Sequence, residues 1–561
     1  MVTREELSLK LIERLGKVKL TTSGSGKQLF VVVAEKDLST SVDYVFNQLG
    51  ARLITTVGTD RTPVTGKYEV SYIFSFDRDN LLLVIKVEVD PANPVIESVT
   101  PIIPGADWAE REVRDLIGVQ PENHPDPRRL VLSDDWPEEV YPMRQDFPFD
   151  YQPPKVENAR PQLKEKPENT SVMTVGPFFP TLEEPAYFRL FVEGERIVGS
   201  DYRGFYSHRG IEKLADKVLD YNRVPFLAER ICGICGFVHS CCYCQAVEAA
   251  AEIEAPARAK YIRTIMLELE RIHSHLLWLG LAGHIIGFDT VLMQSWRIRE
   301  RLMWLTEQIT GNRKTYGMNL VGGVRRDITV DLQQKIKEVL AKIEAESRQV
   351  VDAISGDTTL LMRLQNVGCL SAEDARLICV VGPTARASGV DIDSRRDHPY
   401  AAYPDLQLTV PVYKNGDSWD RTLVRLDELF VSIDLVRQAL EKMPDGPIMA
   451  EDPVVPPGRE GVSVVEAPRG ECCHYVITGT DRPERWRVRA STYPQLQAVP
   501  VMFNNQTVAD APIIIGSIDP CFSCTERLET VDVKSRRLKV YTKAELMEAC
   551  QSGRLDGDSR A

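Results

Sequence analysis

The chain has 561 residues, 43% of them hydrophobic and 27% charged, which is the make-up of an ordinary globular protein. It is too long for one hydrophobic core, since such cores stop growing near ~250–300 residues. A net charge of −13 with no dominant basic stripe argues against a nucleic-acid partner, because phosphate neutralisation needs such a stripe. Apolar runs such as Leu81–Ile85 and Leu377–Val381 fall far short of the roughly 20 residues that cross a bilayer. The first residues, MVTREELSLKLIERLGKVKL, have neither a continuous apolar stretch nor a small-residue cleavage site, so a cytoplasmic location is expected.

In chain order, residues 1–150 read as a small mixed α/β domain. Strands are predicted at Gln28–Val33, Arg52–Gly58, Tyr68–Phe76 and Leu81–Val89, with a helical pattern near Val42–Leu49. Residues 151–172 are rich in Pro, Lys and Glu and predict a linker or a surface-wrapping segment. From 173 onward the pattern is mainly helical. Apolar residues recur at Ile262, Ile265, Leu269, Ile272, Leu276 and Leu279, then at Leu302, Leu305 and Ile309 before a C-cap at Gly311. Thr329 can cap a helix carrying Leu332, Ile336, Val339 and Ile343, and Leu423 to Leu440 marks another. The expected fold class is multidomain α+β, a mixed α/β domain followed by a mainly helical domain around a central helix bundle. No glycine-rich loop follows a strand as a phosphate cradle requires.

Twelve cysteines without an export signal are expected to be reduced, metal-bound or buried. None occurs before Cys232, and five fall between Cys232 and Cys244. RICGICGFVH places Cys232 and Cys235 three apart, and DPCFSCTER repeats that spacing at Cys521 and Cys524, 289 positions after the first cysteine. Four thiolates are the commonest structural zinc set, so coordination rules alone favour zinc. Zinc pairs, however, are usually joined by about 15–20 residues. The long gap suggests two distant parts of a fold closing over a buried metal. His239, four residues after Cys235, can donate to a ligand sulfur or be a satisfied core histidine. Cys241, Cys242 and Cys244 read as small buried residues. His273 and His275, two apart on a helix, face different ways and do not share an ion.

The two cysteine motifs closely resemble those of NiFe-hydrogenase large subunits. The resemblance extends along the chain: HRGIEK at His208–Lys213, ERIHSHLLWLGLAG at Glu270–Gly283, KTYGMNLVGGVRRD at Lys314–Asp327 and GPTARASG at Gly382–Gly389 look like the energy-converting, complex-I-related branch. EREVRDLIGVQPENHPDPRRLVLSDDWP resembles the small peripheral-arm subunit of complex I fused ahead of it. The fused layout is most similar to the large subunits of formate hydrogenlyases. The resemblance implies a catalytic domain over 173–527 and a nickel-iron centre whose iron carries carbonyl and cyanide ligands. Cys232 and Cys521 would be terminal nickel ligands, and Cys235 and Cys524 would bridge nickel and iron.

Splitting dihydrogen needs a base beside the metal, and Cys521 is the favoured thiolate. Arg469 resembles the family's arginine over the open metal position, and its pKa of about 12 or more makes it an orienting cation and not a base. Asp519 would hold Arg469, though an Asp-Pro turn at a strand end also explains it. In GPFFPTLEEPAYF, Glu183 and Glu184 offer carboxyls for proton exit, with Glu184 preferred. The alternative is that both are merely solvated. By resemblance this loop lies where complex I has a quinone-contacting histidine, and Phe179 stands nearby instead. Glu212 can serve a further ion or proton step, or form a plain salt bridge.

No ferredoxin-like cysteine run is present, so clusters belong to partners. The resemblance implies an iron-sulfur small subunit, antiporter-like membrane subunits, a formate dehydrogenase, and a peripheral place on the cytoplasmic face of the inner membrane. It also implies a maturation endopeptidase that removes 528–561 by cutting after Arg527. Metal-free quinone binding and a structural zinc site are the alternatives to catalysis.

Overall fold

Strands rich in Val, Ile, Leu and Phe, such as Leu81–Val89, bury both faces and therefore need a layer on each side. A computed structural model describes residues 4–15, 19–23, 26–151, 153–157, 159–176, 184–206, 208–524, 530–531 and 538–539. Five strands, β1 (Lys19–Ser23), β2 (Gln28–Val33), β3 (Arg52–Asp60), β4 (Tyr68–Phe76) and β5 (Leu81–Val89), form one sheet ordered β1-β2-β5-β4-β3. Only β2 and β5 run parallel, with Gln28 opposite Leu82. The segment expected to be helical is a short helix, Leu38–Asp43, followed by a π turn, Tyr44–Gln48.

One face of this sheet places Leu29, Val31, Tyr72, Leu83 and Ile85 in a core shared with Trp108, Val113 and Ile117 of helix Asp107–Ile117. The other face turns Phe30, Ile54, Val57, Ile73, Leu82 and Val84 onto Val462, Val464, Cys473, Tyr475 and Ile477. Those last residues belong to a second antiparallel sheet, Glu460–Ala467, Gly470–Thr478 and Pro483–Arg489. Burying each such side chain is worth about 1.5–3 kcal/mol. Charge pairing adds direction, because Arg52 bridges Asp77 at 2.7 Å and Glu471 at 2.8 Å across the two sheets.

Residues 159–170 form no helix or strand and are mostly exposed, and Lys164 N–H donates to Asp201 Oδ2 at 2.9 Å. The strand Ser171–Val175 begins a small sheet with Tyr187–Glu193 and Arg196–Arg203. Four long helices follow: Ala257–Ile286, Asp289–Thr310, Val330–Ser355 and Ser418–Lys442. Their ends carry the expected caps. Gly311 closes the second in a left-handed conformation at φ 80, and the Thr329 side chain opens the third by accepting from Leu332 N–H. Ile262, Leu269, Leu276, Leu302, Ile336, Leu340, Leu429 and Ile433 meet in one core, so these helices make the central bundle. Sequence periodicity did not single out the Glu460–Arg489 sheet, because it is buried on both faces and lacks a polar alternation.

Candidate metal centre

Cys232 and Cys235 lie on the turn that opens helix Gly236–Ala251. The backbone N–H groups of Ile234 and Cys235 both aim at Cys232 Sγ, each at 3.3 Å. Cys521 arrives from the far end of the chain, after helix Ala511–Ser517, and its N–H is held by Thr492 Oγ1 at 3.2 Å. Cys232 Sγ stands 3.1 Å from Cys521 Sγ and 3.1 Å from Cys235 Sγ. All three thiols are buried. Two segments far apart in sequence thus close over one point. The Cys524 side chain lies outside the described residues.

Amide dipoles at a helix start and a nearby guanidinium both favour ionised sulfur. That guanidinium is Arg469, on the turn between strands Glu460–Ala467 and Gly470–Thr478, and it is 1% exposed. Its Nε donates to the Asp519 carbonyl at 2.7 Å, one Nη to Asp519 Oδ1 at 2.8 Å and the other to Ser274 Oγ at 3.2 Å. Burial opposes the charge, but Asp519 and the thiols of Cys235, Cys521 and Cys232 hold Arg469 firmly protonated. Asp519 sits at φ 56, and burial pushes its carboxyl up to about 6 against the pull of Arg469. The turn itself is fixed by close approach: a Cβ on Gly382 would come within 2.3 Å of Gly470 Cα.

Glu184 is half-buried, and its Oε2 accepts from Ser523 N–H at 2.8 Å. A cavity of about 110 Å³ is lined by Glu184, Ile234, Trp278, Arg469, Asp519 and Cys521, so six of the seven expected site residues are described near one another, Cys232 and Cys235 included. Glu183 and Phe179 fall outside the described residues. Glu212 is engaged by arginine: Oε2 accepts from Arg485 at 2.7 Å, and Oε1 accepts from Arg487 at 3.3 Å and Val488 N–H at 3.0 Å. Burial works against its ionised form, yet the two guanidiniums pull its pKa below the usual range.

The structure adds residues that spacing alone did not reveal. Glu270, from helix Ala257–Ile286, accepts from Phe237 N–H at 2.9 Å and Val238 N–H at 3.0 Å, and so caps the helix behind Cys235. Burial nevertheless pushes its carboxyl up to about 8. His239, Cys472 and His474 place ligand-type atoms within 4.8 Å of one another. Trp486 Nε1–H donates to His474 Nδ1 at 3.1 Å, and an indole N–H can only donate. The His474 proton is therefore on Nε2, pointing at His239 Nδ1 3.2 Å away, where a metal would have to displace it. These groups satisfy one another, and His239 has only Nε2 left for a ligand sulfur. His273 pairs with Arg299 at 2.7 Å and His275 with Glu428 at 2.9 Å, on different sides of their helix. Burial raises the Cys241 thiol to about 12 and Cys244 well above its usual value, as fits small neutral core residues.

The donor set suits a nickel-iron group. Three soft thiols converge in a closed interior, helix-terminal amides face one of them, and a fixed cation stands beside them. Residues 209–289 match the nickel-dependent hydrogenase family. Residues 286–462 and 452–527 match the 49 Kd subunit of respiratory-chain NADH dehydrogenase, and residues 31–153 match its 30 Kd subunit. Fold and site together therefore define a hydrogenase-type large subunit built on the complex I plan.

The chain is 42% identical to formate hydrogenlyase subunit 5 of Escherichia coli (strain K12), covering 92% of each chain. It is 41% identical to hydrogenase-4 component G of the same organism, covering 93% of this chain and 92% of that one. The membrane-bound hydrogenase subunit alpha of Pyrococcus furiosus is 41% identical over 66% of this chain and 91% of its own. Among solved structures, a chain of the membrane-bound sulfane sulfur reductase, an archaeal respiratory membrane complex, superposes with a TM-score of 0.61. It is 31% identical and covers 64% of this chain and 100% of that one. The chain belongs to the family of complex-I-related NiFe-hydrogenase large subunits, with a 30 Kd-type domain joined to a 49 Kd-type hydrogenase domain. It is an oxidoreductase of the hydrogenase class. Among the described residues no helix is long and apolar enough to cross a membrane.

Proposed function

We propose that this chain is the catalytic subunit of a membrane-associated hydrogenase that reversibly reduces protons to dihydrogen, working within a formate hydrogenlyase complex. The observation that carries the reading is the meeting of the Cys232, Cys235 and Cys521 thiols in one buried point beside Arg469. Cys232, Cys235, Cys521 and Cys524 would hold the centre, nickel together with an iron that would carry carbonyl and cyanide. The centre, when bound, supplies the two-electron redox chemistry on dihydrogen that no side chain can.

The chain's own residues do the rest. Cys521 would take the proton at Sγ, because it is the terminal thiol facing the cavity that Glu184 also lines. Arg469, held on two sides by Asp519, would present a fixed guanidinium to that cavity, where it orients the small substrate and costs no reorganisation. Glu184 would relay the proton outward at its carboxyl, being half-buried and tied to the Ser523 N–H beside Cys521. Trp278, Ile234 and Ile285 close the apolar side of the cavity and restrict water.

Residues 1–150 would form the complex-I-like domain, 151–172 the connection, 173–527 the catalytic domain and 528–561 a tail removed on maturation by an endopeptidase. Electrons would come from an iron-sulfur small subunit. Antiporter-like membrane subunits would hold the assembly to the cytoplasmic face of the inner membrane, and a formate dehydrogenase would supply the electrons upstream. Elemental analysis of the purified complex tests the core of this reading. Nickel and iron are expected together. Zinc alone would make the four cysteines structural, and no metal would favour a quinone-binding relative of complex I.

A further inference from the structure

Glu112 is 7% exposed and belongs to helix Asp107–Ile117, inside the region that matches the 30 Kd family. It nevertheless points into the catalytic half. Tyr493 donates to its Oε2 at 2.8 Å, and Arg487 grips both carboxylate oxygens, Oε2 at 2.8 Å. The same Arg487 nitrogen that meets Glu112 Oε1 also reaches Glu212 Oε1 at 3.3 Å. One guanidinium is thus shared by two buried carboxyls, which Arg485 supports from the Glu212 side. Such an arrangement lets one carboxyl accept a proton while Arg487 stays paired with the other.

The pair opens on a cavity of about 50 Å³ lined by Glu112, Glu212, His208, Arg209, Arg487 and Ser523, with Tyr493 on its wall. That is room for about three waters, and the walls supply the polar partners such waters need. Ser523 ties the cavity to the metal centre: its Oγ lies 3.3 Å from Cys521 Sγ, and Arg209 holds its carbonyl at 3.1 Å. Burial and the neighbouring Glu212 lift Glu112 above the ordinary carboxyl range, although Arg487 opposes this, while Glu212 stays below it.

We infer that Glu112, supplied by the N-terminal domain, is a proton-holding station for the hydrogenase site, reached from the Ser523 side through waters in this cavity. This rests on the hydrogenase reading. A protonated water gives its proton to a Glu112 oxygen, forming one O–H bond and leaving neutral water, and the reverse step returns it. No electrons move in this exchange. Glu112 acts through the waters and touches no reacting atom, so it is a positioning residue for proton delivery. The joining of the two domains then has a chemical purpose beyond the ion pair itself.

The test uses the intact complex carrying Glu112→Gln, Glu112→Asp and, independently, Tyr493→Phe. Nickel and iron content and the infrared bands of the carbonyl and cyanide ligands report the centre, and isotope exchange between deuterium gas and solvent protons reports delivery. Glu112→Gln is expected to keep metal and bands while exchange falls about tenfold or more, with Glu112→Asp recovering most of it. Tyr493→Phe should shift the pH profile of exchange with the metal unchanged. Exchange at the wild-type rate in Glu112→Gln overturns the inference, as does loss of metal in both Glu112 variants, which would make the residue structural. Absence of nickel from the wild-type complex would instead sink the hydrogenase reading.

Discussion

Arg469 and Asp519 meet twice in the interior, once through the Asp519 carbonyl at 2.7 Å and once through its Oδ1 at 2.8 Å, so the arginine's plane is fixed before any substrate arrives. A lysine carries the same charge but cannot occupy both acceptors with a planar fork. Arg469→Lys should therefore retain nickel and iron while hydrogen evolution drops about 100-fold, the size of effect seen when a preorganised polar group is lost. Metal content measured beside turnover checks this, and wild-type turnover would refute it.

The thiols of Cys235 and Cys521 each lie 3.1 Å from that of Cys232, and removing one leaves the remaining set too small for two metals. Cys235→Ser and Cys524→Ser should each abolish nickel retention. Far-UV circular dichroism should stay near wild type, because the sheets of the N-terminal half make their core from other residues. Nickel at full occupancy in either variant would remove these residues from the ligand set.

Glu184→Gln preserves the acceptor for Ser523 N–H through its amide oxygen but cannot carry a proton. Metal should remain, and isotope exchange with solvent should slow about tenfold or more. An unchanged exchange rate would put the exit route elsewhere.

Much of this arrangement is legible in the sequence. The strands Gln28–Val33, Tyr68–Phe76 and Leu81–Val89, the caps at Thr329 and Gly311, and the paired cysteines are local patterns, and local patterns survive folding. Glu270, Glu112 and the His239–His474–Trp486 chain were not evident, because their partners lie tens to hundreds of residues away. A carboxyl that caps a helix from another helix leaves no mark on spacing. Nor does a sheet buried on both faces, which reads as a bare apolar run until its neighbours are known.

His275 offers a pH signature. Burial lowers it to about 4, although Glu428 beside it pulls upward. In the unfolded chain a histidine titrates near ~6.5, so between those values the unfolded state binds the extra proton. Its contribution is thus fully present above pH ~6.5 and is lost as pH falls towards 4, at about 1.4 kcal/mol per unit and about 3 kcal/mol in all. His275→Gln should be less stable at neutral pH yet lose less stability between pH 7 and pH 4. Denaturant unfolding at both pH values measures the difference, and parallel losses in wild type and variant would contradict the assignment.

The tail concerns the completion of the site. Cys521 is already within 3.1 Å of Cys232, but it is joined through Phe522 and Ser523 to Cys524, and after Thr525, Glu526 and Arg527 come 34 further residues, Leu528 to Ala561. Within that stretch Thr530–Val531 pairs antiparallel with Leu538–Lys539, and residues 540–561 lie outside the described residues. Burying Cys524 fully requires the chain after it to pass through a closed interior or to end. Ending it is the simpler solution, since a free C-terminus at Arg527 can fold inward while a 34-residue extension cannot follow. We expect cleavage between Arg527 and Leu528 once nickel is bound; a tail that holds both Cys521 and Cys524 away from Cys232 and Cys235 until then is not what is found for Cys521, which already stands beside Cys232, and the expectation is kept for Cys524 alone. Intact mass of the large subunit from active complex decides it: a mass ending at Arg527 is expected, and an active subunit that still contains Leu528 to Ala561 would overturn the claim.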